Sequence, residues 1–225
     1  MSSIARLKLV MVRPDVTSGE DWAPTQAWVP TGLAALDAAL GGGLPCGQVL
    51  EISGGASSGK STLAFGMCRA LLGQGKAVAW IDPSRRWAPL AALEAGLPLE
   101  LLLVARVADG MSALKAAHLL LSCRGAVAAV VVNLPVGFVP ADSNLVKLQR
   151  LAAQGQVALV FLTERPAGGP SLGPTVALRL CVHRQWRKTS AVCVIEIARH
   201  KRGPNRIAIE EPAHGPDRLR IRSTL

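Results

Sequence analysis

One eight-residue segment of this 225-residue chain carries the residues best suited to chemistry on a phosphate group. Gly54–Ser61 matches the P-loop pattern G-x-x-x-x-G-K-S/T in full and lies between a predicted strand and a predicted helix. Its glycines let backbone N–H groups turn toward an anion, Lys60 would reach the β- and γ-phosphate oxygens, and the Ser61 hydroxyl would ligate Mg²⁺. The pattern therefore predicts a site for ATP or ADP with Mg²⁺. The residues assigned to the nucleotide are Gly54, Gly55, Ala56, Ser57, Ser58, Gly59, Lys60, Ser61 and Thr62.

The elements that must position this loop alternate between apolar strands and helices, which predicts βαβ units in a parallel sheet. Beyond Gly168 strand follows strand, so the mostly parallel, twisted sheet, flanked by helices, should end in antiparallel strands. The fold class is α/β. The predicted strands are Gln48–Ser53, Lys76–Asp82, Leu99–Ala105, Val127–Leu134, Gln156–Thr163, Val176–His183, Ala191–Arg199, Arg206–Glu210 and Leu219–Ile221, and the predicted helices are Ser61–Gly73, Trp87–Ala95, Met111–Cys123 and Ser143–Ala153.

Length and composition bound the architecture, because a chain of this size fits one α/β domain. We assign residues 1–30 to an N-terminal arm, residues 31–212 to the domain and residues 213–225 to a basic tail. Within the arm, Ile4–Arg13 is interpreted either as disordered or as a short element that docks elsewhere in an assembly. The apolar runs are shorter than the ~20 residues of a membrane span, and the N-terminus has no secretion-signal pattern. These features predict a cytoplasmic protein that makes no membrane contact, and its five scattered cysteines are interpreted as reduced core residues.

Basic residues concentrate toward the C-terminus. The formal net charge is +10, and Val176–Leu225 holds eleven Lys/Arg against four Asp/Glu. This excess indicates an anionic partner such as nucleic acid, although an arginine-rich proteome would give the same composition. A base could stack on Trp186, or this tryptophan packs inside the protein, and the turn after Arg199 is alternatively a solvated turn without a binding role. The candidate nucleic-acid or intersubunit cations are Arg184, Arg187, Lys188, Arg199, Lys201 and Arg202.

The segments on both sides of the P-loop resemble the RecA family. The similar segments are Val29–Asp37, Gly41–Gly47, Glu51–Ser61, Trp80–Asp82 and Ala129–Asn133, with weaker similarity at Leu159–Thr163 and Arg199–Lys201. The resemblance covers roughly the whole chain after the arm and implies a RecA-like P-loop NTPase core. It also implies that Arg199 and Lys201 match cations that reach the nucleotide of a neighbouring protomer.

Three positions depart from a hydrolysing member of that family. The resemblance places the family's catalytic glutamate on Ser84, which cannot act as a general base at neutral pH. It places the acidic residue near Mg²⁺ on Asn133 and the glutamine sensor on Glu164, whose charge would repel a γ-phosphate. A lost carboxylate removes several kcal/mol of transition-state stabilisation, so we expect weak or absent ATP hydrolysis and assign no residue a catalytic role. Asp82 either supplies the missing acid or is an ordinary residue that caps a strand end.

A RecA-like core with altered acids and a basic tail most resembles the ImuA family. That resemblance implies an accessory protein of the bacterial mutagenic translesion-synthesis complex, acting in DNA repair during the SOS response. The implied partners are an ImuB-like Y-family polymerase homologue, RecA and an error-prone replicative-type DNA polymerase. The resemblance also allows for DNA contact and self-association.

Other functions remain to be weighed against this one. SulA-type division inhibitors share the scaffold but lack a P-loop, so Gly54–Ser61 argues against them. An active DNA-dependent ATPase of the RecA/RadA type, in recombination or repair, would need Asp82 or a neighbouring protomer to supply the missing acid. However, the segments that match the family's DNA-contacting loops are short, so strand exchange by this chain alone is not expected. A small-molecule kinase would need an arginine-bearing lid, for which the short Glu164–Pro174 link leaves little room.

Overall fold

The computed structural model describes residues 28–166, 168–187, 190–201 and 208–212. Within these ranges the strands are β1 (Trp28–Val29), β2 (Leu44–Pro45), β3 (Val49–Ser53), β4 (Val78–Asp82), β5 (Leu102–Arg106), β6 (Ala129–Asn133), β7 (Ala158–Thr163), β8 (Val176–Arg187), β9 (Ser190–His200) and β10 (Ala208–Pro212). Eight of them form one sheet in the order β10-β9-β8-β3-β7-β6-β4-β5, and β1 pairs with β2 in a separate two-stranded ribbon.

The sheet is parallel from β8 to β5 and antiparallel from β8 to β10. Its register brings the carboxyl ends of the central strands to one edge. Ser53 of β3 pairs with Thr163 of β7, and Asn133 of β6 pairs with Leu162. Ile81 of β4 pairs with Val132, so Asp82 ends its strand beside Asn133. This edge therefore collects the residues that follow β3, β7, β6 and β4, and it is called the carboxyl edge below.

In the described parts of the chain, five α-helices and a short 3-10 turn connect the strands. They are α1 (Ala34–Leu40), α2 (Lys60–Leu72), α3 (Pro89–Glu94), the 3-10 turn (Leu99–Leu101), α4 (Gly110–Ser122) and α5 (Asp142–Gly155). They cover both faces of the sheet, as the alternation in β4 shows: Trp80 packs in the cluster that includes Phe65 of α2, whereas Ile81 packs in the cluster that includes Leu114 of α4. All five residues of β4 are buried, as expected for a parallel strand covered on both faces.

The two-stranded ribbon packs against α2. Val29 is buried, and the side chain of Asp37 in α1 accepts hydrogen bonds from the Thr31 backbone N–H (2.8 Å) and hydroxyl (2.7 Å). Gly66 of α2 lies so close to this segment that a Cβ there would be 2.7 Å from the Thr31 carbonyl oxygen. The segment around Thr31, which precedes β3 in the chain, is thus fixed against α2, the helix that follows the P-loop.

The structure confirms the predicted α/β fold with its mostly parallel sheet and antiparallel C-terminal strands. The prediction that a strand begins at Leu99 is wrong, because Leu99–Leu101 form a 3-10 turn after Pro98, whose ring fixes the backbone angle φ. The predicted strand Leu219–Ile221, most of the N-terminal arm and the basic tail lie outside the described residues. Among the described residues, no helix combines the length and the apolar character that crossing a bilayer requires.

Three of the five cysteines are core residues, as the sequence suggested. Cys46, Cys68 and Cys181 are buried, and burial raises the pKa of the Cys46 thiol to about 11 and that of Cys68 to about 12. The interpretation is wrong for Cys123, which is exposed just beyond α4, and Cys193 is only partly buried. Cys46, Cys68 and Cys123 are free thiols.

Candidate nucleotide-binding site

The P-loop lies at the carboxyl edge, between the end of β3 and the start of α2. It is held to its neighbours by backbone contacts: the Gly54 N–H donates to the Thr163 carbonyl at 3.2 Å. A Cβ at Gly54 would be only 2.2 Å from the carbonyl oxygen of Val182, and Gly59 has a φ of +105° that side chains rarely tolerate. The loop therefore needs glycine at both positions to pass beneath β8 and turn into α2.

Lys60 folds back over the loop. Its ammonium group donates hydrogen bonds to the carbonyl oxygens of Gly54 (2.8 Å) and Gly55, and lies 3.5 Å from the Ser58 hydroxyl. Burial lowers the pKa of this ammonium, Glu164 acts in the opposite direction, and Arg86 adds to the lowering. A partly desolvated cation with backbone carbonyls as partners can exchange those contacts for phosphate oxygens.

The residues around Lys60 fit a phosphate group. The N-cap of α2 is Gly59, which has no side chain to satisfy the first N–H groups of this 13-residue helix. Those N–H groups and the positive end of the helix dipole favour an anion. Ser61 and Thr62 are exposed, so their hydroxyls are accessible, and Ser61 is the residue that would hold Mg²⁺. Within the described parts of the chain, no group of three or more His, Cys, Asp or Glu side chains is arranged to hold a metal ion. Phosphate oxygens of a bound nucleotide and water would supply the further ligands that Mg²⁺ prefers.

Asp82, Ser84 and Asn133 form one hydrogen-bonded group at the carboxyl edge. The Ser84 hydroxyl donates to Asp82 Oδ1 at 3.1 Å, and Asn133 Nδ2 lies 3.0 Å from the Ser84 hydroxyl and 3.5 Å from Asp82 Oδ1. The backbone N–H groups of Arg86 (3.1 Å) and Trp87 (2.8 Å) also donate to the Asp82 carboxylate. Asp82 is completely buried. In this arrangement the carboxylate caps the turn after β4, and both of its oxygens already accept hydrogen bonds.

Glu164 follows β7 directly and is paired with a residue that the sequence analysis did not single out. Arg86 Nη1 lies 2.9 Å from Glu164 Oε2, across the end of β6. The Arg86 side chain is 61% exposed and the Glu164 side chain 27% exposed. The available signal was position, since Arg86 follows β4, one of the strands that end at the carboxyl edge. The structure thus brings Lys60, Glu164 and Arg86 to the same edge.

A second pair missed by the sequence analysis holds the link between β7 and β8. Glu51 of β3 and Arg179 of β8 are buried, with Arg179 Nε 3.6 Å from Glu51 Oε2 and 3.2 Å from the Ser53 hydroxyl. Arg179 also donates to the carbonyl oxygens of Pro166 (3.3 Å) and Gly169. The Glu51 carboxylate accepts hydrogen bonds from the Thr163 hydroxyl (2.9 Å), the Ser171 hydroxyl (2.9 Å) and the Leu172 N–H (3.1 Å).

The structure describes only some of the candidate cations of the C-terminal strands. The Arg199 guanidinium donates to the carbonyl oxygens of Gly173 (3.2 Å) and Pro174 (3.3 Å) of the same chain. Lys201 and Arg184 are exposed. Arg187 ends β8, and Lys188 and Arg202 lie outside the described residues. Arg199 therefore helps to fix the link before β8, and contacts of these cations with DNA or a neighbouring protomer stay predictions.

Comparison with known proteins identifies the family. Residues 16–156 match the model of the RecA N-terminal domain. Protein RecA of Mycolicibacterium gilvum is 40% identical over 123 residues, which are 54% of this chain and 35% of that protein. Protein RecA of Clavibacter michiganensis is 31% identical over 199 residues, 74% of this chain and 55% of that protein.

A solved structure agrees on the fold. The crystal structure of the RadB recombinase superimposes with a TM-score of 0.70 at 20% identity, over 84% of this chain and 97% of that one. The chain spans about a third to about half the length of the curated RecA proteins that it matches. The P-loop geometry, the sheet order and these similarities lead to one conclusion: this chain belongs to the RecA family.

Proposed function

We propose that this chain is a RecA-family accessory protein of DNA repair that binds ATP or ADP with Mg²⁺ at Gly54–Thr62 and hydrolyses ATP weakly or not at all. The observation that carries the proposal is the group formed by Asp82, Ser84 and Asn133. The chain combines an intact P-loop with an aspartate at the same edge of the sheet whose two oxygens accept hydrogen bonds from its own turn and from Asn133. The loop supports binding, and this group does not support turnover.

A hydrolysing site needs a carboxylate that faces the attacking water and can take its proton. Ser84 has no such group, and its hydroxyl donates to Asp82. Asp82 is buried and would have to give up the N–H groups of Arg86 and Trp87 to turn toward a water. Leaving those N–H groups unsatisfied costs about 1–3 kcal/mol each, which opposes a catalytic role for Asp82.

The segment between β7 and β8 argues against strand exchange by this chain alone. Arg179 donates to two of its carbonyl oxygens, and Arg199 donates to two more. The Arg165 guanidinium closes it further, with contacts to the carbonyl oxygens of Pro170 (2.9 Å) and Ser171 (3.3 Å). A segment held by so many contacts is poorly suited to wrap an extended DNA strand.

We further propose that the chain acts as an ImuA-type accessory of the mutagenic translesion-synthesis complex in the bacterial cytoplasm during the SOS response. Its partners would be an ImuB-like Y-family polymerase homologue, RecA and an error-prone replicative-type DNA polymerase, with self-association and DNA contact as further properties. The proposal is supported by the RecA-family membership together with the short, hydrogen-bonded link between β7 and β8 and the altered acids.

The test of nucleotide binding uses calorimetric titration of the purified protein with ADP and Mg²⁺. Lys60→Ala should weaken binding about tenfold or more, because a charge-assisted hydrogen bond to phosphate contributes about 1.5–3 kcal/mol. Lys115→Ala is the matched control, since Lys115 is an exposed lysine of α4 on the other face of the sheet. Equal affinity in the Lys60 and Lys115 variants would contradict the P-loop assignment.

Turnover and partners are tested separately. Phosphate release from ATP should be near background in the natural protein and should rise when Ser84→Glu and Asn133→Asp are combined. Vigorous hydrolysis by the natural protein would favour the alternative, an active DNA-dependent ATPase.

Capture of the tagged chain from DNA-damaged cells should recover the ImuB-like protein and RecA, and recovery of neither would refute the accessory role.

A further inference from the structure

The carboxyl edge sets Lys60, Glu164 and Arg86 in a row. Strand order places β7 between β3 and β6, so Glu164 at the end of β7 lies beside the P-loop that follows β3. Arg86 reaches Glu164 from beyond β4, at 2.9 Å. Burial has the largest effect on the Lys60 ammonium and lowers its pKa. Both charges also act on this group, since Glu164 raises the pKa and Arg86 lowers it. The two charges therefore lie within electrostatic reach of the group that would hold the phosphates.

We propose that the Arg86–Glu164 ion pair sets the preference of this site between ADP and ATP, an inference that rests on the proposed nucleotide binding at the P-loop. ATP carries one more phosphate and more negative charge than ADP. The Glu164 carboxylate repels that additional charge, so the diphosphate is favoured. Arg86 offsets part of the repulsion. Glu164 determines the specificity, and Arg86 is a positioning residue that acts through Glu164.

Arg86 suits this role because its backbone is fixed while its exposed guanidinium pairs with Glu164. Its N–H donates to Asp82 Oδ1 at 3.1 Å, and the next residue, Trp87, packs against Trp80 with ring centroids 5.1 Å apart. The guanidinium itself is largely exposed and is held toward the site by Glu164. Removing the Glu164 charge therefore also releases Arg86, so substitutions at the two positions should not have additive effects.

The test measures binding of ADP and of an ATP analogue with a methylene group between the β- and γ-phosphorus atoms, each with Mg²⁺. The quantity of interest is the ratio of the two dissociation constants, analogue over ADP, which should exceed one in the natural protein. Glu164→Gln should lower this ratio by about threefold to tenfold, and Arg86→Ala should raise it by a similar factor. Arg86→Lys should keep the natural ratio, and Arg86→Ala should change the ratio less when Glu164→Gln is also present.

Salt provides a second readout that a merely structural role would not move. Raising the ionic strength from about 0.05 M to about 0.5 M should shrink the differences between variants, because exposed charges are screened over shorter distances. A ratio that is the same in all variants overturns the role of the ion pair and leaves nucleotide binding at the P-loop intact. An equal loss of affinity for both nucleotides in Arg86→Ala overturns it as well. No binding of either nucleotide by the folded natural protein overturns both the inference and the proposed function.

Discussion

The buried pair between Glu51 and Arg179 allows a quantitative prediction about stability. Both side chains are almost inaccessible, at 0% and 6% exposure, and they join β3 to β8 near the end of β3 that leads into the P-loop. Replacing Arg179 with methionine keeps much of the side-chain volume but leaves the Glu51 charge buried without its cation. Breaking a buried pair by removing one partner costs about 3–5 kcal/mol.

The remaining partners of Glu51 place the expected loss at the lower end of that range. The carboxylate keeps the hydroxyls of Thr163 and Ser171 and the N–H of Leu172. The carbonyl oxygens of Pro166 and Gly169 lose Arg179, but they lie in a partly exposed link where water can replace it. We therefore expect Arg179→Met to lower the free energy of unfolding by about 3 kcal/mol, or the Tm by roughly 6–12 °C for a domain of this size.

Urea denaturation followed by far-UV circular dichroism measures the loss, and a second variant isolates its cause. Glu51→Gln combined with Arg179→Met removes the uncompensated charge while an oxygen still accepts from the link, so it should be more stable than Arg179→Met alone. Hydrogen–deuterium exchange adds a local readout, because the Leu172 N–H donates to Glu51 and should exchange faster once the pair is broken.

Two results would refute this reasoning. A change in the free energy of unfolding below about 1 kcal/mol for Arg179→Met would mean that the pair contributes little beyond what well-packed apolar residues would supply. Failure of the double variant to recover stability would mean that the lost contacts to the link, rather than the buried charge, account for the effect.

Two further predictions concern packing and thiol reactivity. Gly110→Ala should destabilise the domain by about 1–3 kcal/mol, because its Cβ would lie 2.5–2.7 Å from ring atoms of Phe138. Gly55→Ala is the control and should leave the urea midpoint unchanged, because its Cβ meets nothing within 4 Å. Equal stability of the two variants would contradict this prediction. At pH 8 a chromogenic disulfide reagent should label the exposed Cys123 first and leave Cys46 and Cys68 unmodified until urea unfolds the protein. The reason is that burial raises the pKa of these two thiols far above that pH and so keeps them protonated. Rapid labelling of all five cysteines would refute the buried placement.

The sheet and the P-loop could be predicted because their signals are local. The buried strands are continuous apolar runs such as Ala129–Val132, and Gly54–Ser61 carries its whole pattern in consecutive residues. The seven-residue helix α1 was missed because it is short and has no side-chain cap at Leu33. Its position depends on the hydrogen bonds that Asp37 accepts from Thr31 and on the close approach of Thr31 to Gly66. Neither contact produces a periodic pattern in the sequence.

The charged pairs were missed for a different physical reason. Glu51 and Arg179 stand in two strands far apart in the sequence that become neighbours only because β8 returns to pair with β3. A glutamate within an apolar strand signals that a partner exists but does not identify it. Arg86 and Glu164 are likewise joined by the order β7-β6-β4, which a strand prediction alone does not supply.

The sheet order also explains how this chain could bind a nucleotide without hydrolysing ATP. The groups suited to hold phosphates are contiguous in sequence, and Gly54 is fixed by backbone atoms of Thr163 and Val182, so the loop geometry does not depend on which side chains the other strand ends carry. The resemblance to the RecA family places the groups that would orient water or sense a γ-phosphate at or just after the ends of β4, β6 and β7, which are far apart in sequence. Each of those ends can change without disturbing the loop, and here they carry Ser84, Asn133 and Glu164 joined to Asp82 and Arg86. Restoring acids at Ser84 and Asn133 should therefore change turnover far more than it changes the affinity for ADP.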